Sequence, residues 1–570
     1  MSVTYHGSGW LDNIRELLKE FNIITRGDQI ILSLIVLCSI ALISWYLLLP
    51  IEKLLNITND DTFYYFKTAK NIAYGNGVSF DGINQTNGFQ PLWMLLLVPI
   101  FYLFGSDLVL PIRIILMFQV LLTALTTILV YKFCILGRVK KHTAIVISLI
   151  WFIYPIHVVS VMCGQESALY ALFLMLTMYF YVTRFDKSQS FTQISNKNKV
   201  MLGLLTGLTF LSRLDGVFLI LTFWILILLS AESAKEKLKA IVTISIPIAI
   251  VTLPYLMWNY FVFGALTPIS GRIKHYWAMV TISDLSGLNS FDLFHRVGCS
   301  LYFDNCIFST FKVIKHVCMP LFIVLVVMVL VFVLAWRKDI TSKLNDLNVL
   351  PLVIFVFILV VFYKTYYFDV FTTFGTWQLV PHFILFSIFF GVLFEVFVDK
   401  TKELFHFFGE SYRSIATILT CVLIVSSFAA IIYMQSTQID AKEDYLNNAQ
   451  WLRENTNKND LIGAWEAGII GYFSERRVIN LDGLINSPEY FEYIKNGNVT
   501  DYLDKLKVDY ISENYYLPGP EPYDDNGWKK QWDKKLNVVN STITYRSALG
   551  HWGIKMRVHR YVWEYKWWIK

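Results

Sequence analysis

Apolar runs recur along most of the chain, separated by short polar breaks. They lie near residues 29–50, 107–131, 142–161, 168–183, 200–212, 217–230, 240–258, 317–336, 348–363, 379–398 and 414–434. About 20 apolar residues at roughly 1.5 Å each cross the hydrocarbon core of a bilayer, so the pattern predicts a polytopic α-helical membrane protein with about eleven transmembrane (TM) helices. With the N-terminus inside, every short inner loop is basic: Arg138, Lys140 and Lys141 in one, Lys197 and Lys199 in the next, then Lys235, Lys237 and Lys239, then Arg337 and Lys338, then Lys400 and Lys402. Basic inner loops are what the positive-inside rule requires.

The same rule decides two ambiguous segments. Residues 91–105 are apolar but short, and counting them as a span would put Arg138, Lys140 and Lys141 outside. They are expected as a juxtamembrane helix at the outer interface. Residues 200–230 read as two short helices broken at Ser212-Arg213-Leu214-Asp215-Gly216, since a single crossing would invert every later basic loop. The polar break then lies at the outer face, together with stretches 51–106, 162–167, 259–316 and 364–378.

Beyond residue 434 the pattern changes to that of a soluble α/β unit. AKEDYLNNAQWLREN, SPEYFEYIKNG and VTDYLDKLK have helical periodicity, while DLIGAWE, RRVINLDG and DYISEN read as strands. The aromatic end, TYRSALGHWGIKMRVHRYVWEYKWWIK, reads as paired strands. The expected division is a membrane domain over 1–434 and an extracytoplasmic domain over 435–570. A multi-pass protein of the cell (inner) membrane is expected, with its N-terminus cytoplasmic.

Composition agrees. Of 570 residues 55% are hydrophobic and 16% charged, against about 45–50% and about 25% in soluble chains, which excludes a cytosolic enzyme, a disulfide scaffold and a disordered chain. Residues 1–27 are polar and mixed in charge, so no cleavable signal peptide is expected. The seven cysteines form no CxxC pair; Cys299 and Cys306 share one predicted outer loop and are candidates to pair. No Walker A motif or GxGxxG after a strand is present, no spacing argues for a metal site, and no cofactor or nucleic-acid partner is expected.

Candidate chemistry gathers in the predicted outer segments. The first loop contains Asn59-Asp60-Asp61-Thr62, then Asn87 and Gln90. Carboxylates at a membrane boundary are costly unless paired, solvated or used. Asp60 as a helix N-cap with Asp61 favoured by the helix dipole is one reading, and catalysis is another; the two are compatible. Glu166 opens the next outer turn, as a cap or a working carboxylate. Arg213 and Asp215 form either a local ion pair or a phosphate-holding turn. Arg272, Lys274, His275 and Arg296 stand among aromatic residues, fit to grip a lipid phosphate or sugar or to snorkel toward headgroups. In the tail, Glu466, Asp482 and several Trp and Tyr residues offer faces for sugar rings or interfacial anchors.

Asp60-Asp61 followed by Phe63, Ala69, Asn71, Gly75 and Gly77, and the ending Gly88-Phe89-Gln90-Pro91-Leu92-Trp93, resemble the first outer loop of GT-C-type glycosyltransferases. Within that class the chain is most similar to the bacterial lineage containing the mycobacterial terminal arabinofuranosyltransferase. Glu166, the Ser212–Gly216 turn, Gly463-Ala464-Trp465-Glu466-Ala467-Gly468 and Asn480-Leu481-Asp482-Gly483 extend the resemblance over most of the chain. It departs at Thr376-Trp377-Gln378, where many relatives carry an Arg-aromatic pair.

The resemblance implies an inverting enzyme that moves a sugar from a polyprenyl-phosphate-linked donor to a glycan, lipid or protein acceptor. Asp60 or Asp61 would be the general base, Glu166 would orient the acceptor or assist the base, and Arg213 would meet the departing phosphate. The alternative is a transporter or flippase for a polar or lipid substrate. Such proteins usually place ionisable residues near the bilayer midplane within internal repeats, and no repeat is visible here.

Overall fold

Apolar character lays down the helices, and proline and polar turns break them. The computed structural model describes residues 26–185, 194–285, 331–367, 376–404, 421–422, 424–429, 441–516, 536–543 and 554–561. The expected spans 317–336 and 414–434 fall largely outside these residues, and Arg296, Cys299 and Cys306 wholly so.

The chain opens with α1 (Arg26–Leu48), α2 (Ile51–Leu55), α3 (Asp60–Ala73), α4 (Pro91–Phe104) and α5 (Leu110–Leu136). The run 142–161 divides into α6 (Lys141–Ile153) and α7 (Pro155–Val161), because Pro155 lacks the amide a continuous helix needs. Next come α8 (Ser167–Arg184) and α9 (Asn196–Ser212), a short 3₁₀ turn at Leu214–Gly216, and α10 (Val217–Leu229), which is the break expected at Arg213. The helical part continues through α11 (Ala234–Phe263), α12 (Ile269–Leu285), α13 (Arg337–Asp346), α14 (Leu350–Tyr366) and α15 (Val380–Leu404).

Among the described residues, five helices are long and apolar enough to cross a membrane, lying within α1, α5, α8, α11 and α15. A sixth candidate is the pair α13–α14, bent by 102°. The helices α4, α6 and the segment Leu214–Leu229 are apolar but shorter. At one end of the bundle, lysines close ion pairs between helices: Lys132 with Asp28 (3.1 Å), Lys140 with Asp399, Lys343 with Glu395, and Lys400 with Asp339 (3.6 Å). Lys140 and Lys400 belong to the predicted inner loops. The candidate site lies at the opposite helix ends.

The tail begins with α16 (Ala441–Asn455) and forms a five-stranded sheet of order β2-β1-β3-β5-β4. β1 (Leu461–Ala464) runs parallel to β2 (Arg477–Asn480) and β3 (Tyr510–Tyr516), with α17 (Ala467–Phe473) linking β1 to β2. α18 (Pro488–Lys495) and α19 (Val499–Leu506) lead from β2 to β3. β5 (Ile554–Tyr561) pairs antiparallel with β3 and with β4 (Leu536–Ile543), so β5 finds its hairpin partner upstream of the aromatic end, where the sequence pattern had placed both strands.

Apolar packing joins the tail to the helices. Phe63 of α3 meets Tyr472 and Phe473 of α17 at ring-centroid distances of 5.4 and 5.6 Å. Ile273 and Trp277 of α12 share a second buried cluster with Tyr490, Phe491 and Ile494 of α18. The predicted outer loop after α11 thus supplies part of the tail's core.

Close approach also governs α9 and α11. A Cβ on Gly203 would lie 2.3 Å from the Ile244 carbonyl oxygen and 2.5 Å from Pro247 Cγ, and small residues allow helices in a bilayer to pack this closely. Gly203→Ala is expected to cost about 1–3 kcal/mol through overpacking. Gly207→Ala, whose new carbon would meet Val251 at 3.3 Å, is expected to cost less. Thermal unfolding of both purified variants checks this, and equal stability of Gly203→Ala and the parent chain would contradict the packing.

Candidate functional site

The helix that carries the paired aspartates starts from Asn59, not from Asp60. Asn59 is the N-cap of α3; its backbone N–H donates to Thr62 Oγ1 (3.3 Å), and the Thr62 N–H donates to the Asn59 carbonyl (3.1 Å). Asp60 and Asp61 therefore occupy the first helical turn, where the helix dipole favours negative charge. The Thr62 hydroxyl also donates to the Cys163 carbonyl (2.7 Å), fixing α3 against the turn that carries Glu166.

The two aspartates have different surroundings. Asp60 accepts the Gly468 N–H on Oδ2 and the Ile469 N–H on Oδ1, both at 2.8 Å, so it clamps the first turn of α17. Gly468 must be glycine for this approach, since an added Cβ would sit 2.1 Å from the Asp60 carbonyl oxygen. Burial pushes the Asp60 carboxyl up to about 6 although the two amides favour its charged form. Asp61 takes no hydrogen bond among the described residues. Burial raises its carboxyl above the ordinary range, and the charge of Lys274 opposes that rise.

The tail adds two more carboxylates. Asp482 Oδ2 accepts the Tyr64 hydroxyl (2.6 Å) and its Oδ1 accepts the Leu484 N–H (2.7 Å). Asn480 donates to the same tyrosine oxygen (3.1 Å). Glu466 is raised well above its usual range, by burial first and then by Asp60, Asp482 and Asp61. Lys442 is the nearby counter-charge: its ammonium donates to the carbonyls of Thr58 and Asn56, and burial pulls it down to about 8. Among the described residues, no group of three or more His, Cys, Asp or Glu residues is arranged to hold a metal ion.

A second network surrounds Arg213. Its Nη1 donates to Glu166 Oε1 and its Nε to Asp215 Oδ2 (2.7 Å), with the arginine only 6% exposed and the glutamate 3%. Glu166 also accepts the Tyr65 hydroxyl (2.9 Å), whose oxygen accepts the Gln90 N–H (3.1 Å). The Gln90 side chain accepts the Leu214 N–H (3.1 Å), and Tyr363 donates its hydroxyl to Asp215. Glu166 is thus an ion-pair partner and not a capping group, and Arg213 and Asp215 are locked in place around it.

Beside this network lies a cavity of about 400 Å³. Arg213, Asp215, Gln90 and Lys274 line it with Gln378 and a tyrosine wall of Tyr363, Tyr366 and Tyr367. Its size lies within the roughly 300–1,000 Å³ usual for small-molecule sites. Lys274 has no ion-pair partner among the described residues, so its charge faces the cavity uncommitted.

The other sequence candidates stand elsewhere. Asn87 is buried and holds the start of α12 by accepting the Ile269 N–H (2.9 Å), while its amide donates to Asn259 (3.1 Å). Arg272 lies over the Phe491 ring at 5.3 Å. His275 stacks on Tyr366, with ring centroids 3.9 Å apart. Sequence reasoning assigned no role to Tyr64, Tyr65, Tyr363, Lys442 or the Gly468 and Ile469 amides. Apart from the Trp-Glu-Ala-Gly run at 465–468, their sequence signals are those of ordinary packing residues.

The raised carboxyl of Asp482 has a measurable consequence. It is held at about 7 in the folded chain against an ordinary 3.8. Its contribution to stability is fully present below about pH 4 and is lost as pH rises through about 7. Asp482→Asn is expected to flatten the stability–pH profile in that window, measured by thermal unfolding at stepped pH. An unchanged slope would contradict a protonated Asp482.

Comparisons with known proteins bear on the fold. Residues 430–558 match the family model described as a domain of unknown function (DUF8728). No curated protein matches the chain. Among solved structures, the apo oligosaccharyltransferase of Archaeoglobus fulgidus aligns at 14% identity and TM-score 0.51, over 85% of this chain and 69% of that one. The same enzyme in complex with Zn and sulfate aligns at 14% identity and TM-score 0.46 over 80% of this chain, which spans 64% of that chain, less than two thirds of its length. ArnT from Cupriavidus metallidurans, bound to undecaprenyl phosphate, aligns at 12% identity and TM-score 0.46 over 92% and 97%. At these identities the likeness is one of fold alone, shared with the archaeal oligosaccharyltransferase.

Proposed function

We propose that the chain is an inverting glycosyltransferase that takes a sugar from a polyprenyl-phosphate-linked donor at the outer face of the cell membrane and passes it to a glycan, lipid or protein acceptor. The arabinofuranosyltransferase-like lineage of the first-loop motif is part of the same proposal. The observation that carries it is Asp61, a carboxylate raised by burial and without a hydrogen bond among the described residues, lying within the field of Lys274, whose side chain lines the cavity.

In this reading Asp61 is the general base. It takes the proton of the acceptor hydroxyl, the hydroxyl oxygen attacks the anomeric carbon, and the bond from that carbon to the phosphate oxygen breaks on the opposite face. A carboxyl shifted upward by burial is a stronger base than an ordinary aspartate. Lys274 stabilises the negative charge on the departing lipid phosphate. Arg213 borders the same cavity, but Glu166 and Asp215 already balance its charge, so it supports the site's shape more than it neutralises the phosphate. Asp60 is committed to the tail's amides and serves as a positioning residue for its neighbour.

The experiment is transfer from a polyprenyl-phosphate sugar by purified chain in lipid nanodiscs. Asp61→Asn is expected to lower kcat by about 10²–10⁴-fold, the usual worth of a general base. Lys274→Met is expected to raise KM for the donor. The acid limb of kcat for the parent chain is expected to lie above about 3.9, the ordinary aspartate value, and to rise with pH as Asp61 ionises. Near-normal turnover by Asp61→Asn would overturn the assignment of the base. No transfer from any such donor by the parent chain would overturn the reaction itself.

A further inference from the structure

Gln378 precedes α15 in a short 3₁₀ turn (Thr376–Leu379) and lines the cavity beside Lys274. It is 6% exposed, yet its carboxamide forms no hydrogen bond among the described residues, and Oε1 is buried without a partner. Buried amides are nearly always satisfied, because leaving one unpaired forfeits its hydration without return. Among the described residues, the other amide and the other charged groups bordering the cavity, Lys274 apart, have partners. Gln90 serves Leu214, Asp215 takes Arg213 and Tyr363, and Arg213 is closed by two carboxylates. Only Lys274 carries a charge without a partner there, among the described residues.

The ledger of charge and hydrogen bonding has a chemical meaning. One free cation suits one phosphate. A neutral amide together with a wall of Tyr363, Tyr366 and Tyr367 offers hydrogen bonds and ring faces, and among the described residues, with Lys274 given to the phosphate and Asp215 to Arg213, no further counter-charge lines the cavity for an ammonium or a carboxylate on the bound molecule. We infer that Gln378 reads a hydroxyl group of the donor's sugar, and that the cavity selects a neutral, hydroxylated sugar over amino sugars and uronates. The inference rests on the glycosyl-transfer reading above and deepens it. Gln378 is a specificity residue in this arrangement, since its amide pairs with the sugar and not with the reacting atoms. Loss of a hydroxyl that such a buried amide expects is penalised more than loss of apolar contact, because the amide is then left unpaired again.

The test is equilibrium binding to the full chain in nanodiscs, followed by tryptophan fluorescence. The probes are short-chain polyprenyl phosphates that bear glucose or arabinose, their singly deoxygenated, amino-substituted and uronate analogues, and the same lipid phosphate without sugar. One neutral sugar lipid is expected to bind at least about tenfold tighter than the bare lipid phosphate and than its charged analogues. One deoxy analogue of it is expected to lose about tenfold in the parent chain and nothing further in Gln378→Met. Gln378→Met is expected to leave the affinity for bare lipid phosphate unchanged. Should that variant fail to fold, Gln378→Asn, which keeps the amide but withdraws it by one methylene, serves the same comparison.

Equal weakening of the bare and sugar-bearing lipids by the variant would overturn the inference, as would tighter binding of an amino sugar or uronate, or a deoxy penalty that persists without the amide. Those results leave the lipid-phosphate donor standing. Failure of the parent chain to bind even the bare lipid phosphate would instead overturn the underlying reading of the cavity.

Discussion

The carboxylate of Asp60 receives two amide hydrogens from a segment some 400 residues away in the chain. On this contact the arrangement of both halves depends. It seats the first turn of α17 on the first turn of α3, with Phe63, Tyr472 and Phe473 packed behind it. The docking in turn brings Glu466 and Asp482 into the electrostatic neighbourhood of Asp61. Like charges collected in a buried place raise one another's proton affinity, and desolvation adds to the same effect. The docking therefore gathers the first-loop and tail carboxylates in one buried place, where Asp61 adds to the upward shifts of Glu466 and Asp482.

Arg213 imposes a different kind of constraint. A buried guanidinium is tolerable only when its charge is answered, and here two carboxylates answer it from separate segments. Tyr65 and Tyr363 each add a hydrogen bond to one of these carboxylates, and Gln90 ties the turn to the first loop. The result joins α3, the Glu166 turn, the Arg213 turn and α14 into one rigid rim for the cavity. Rigidity of this kind holds polar groups ready before a ligand arrives, which is where most electrostatic catalysis originates. Because Arg213 is spent on the rim, Lys274 is the cation that the proposed reading assigns to a ligand phosphate.

Legibility in the sequence followed the range of each interaction. The broken helix at Ser212–Gly216, the tail's strands and helices, and the acidic first loop were readable because turns, caps and periodicity are local. The division of α6 from α7 at Pro155 is equally local, although the hydropathy pattern reads 142–161 as one span. What the sequence did not disclose is which group each side chain would meet. Asp60 and Asp61 looked equivalent until the Gly468 and Ile469 amides separated them. Asn87 carries the motif's polarity, yet its amide is occupied by Asn259 and the Ile269 backbone. The hairpin partner of β5 was misplaced for the same reason, since strand pairing is settled by register across the sheet and not by the composition of one stretch.

Two adjacent aspartates on one helix cannot do the same work. At about 3.6 residues per turn, consecutive side chains diverge by roughly 100°, so one of the pair faces the docked tail while the other is directed elsewhere. The side chain that meets α17 is fixed by two bonds from a rigid backbone and loses both its freedom and its open lone pairs. Its neighbour inherits a fixed position without sharing those bonds. That division resolves a difficulty inherent in a buried base, which must be held still and yet remain unpaired. In the proposed reading Asp60 meets the first requirement and Asp61 the second, and replacing either one alone would leave the other unable to serve both.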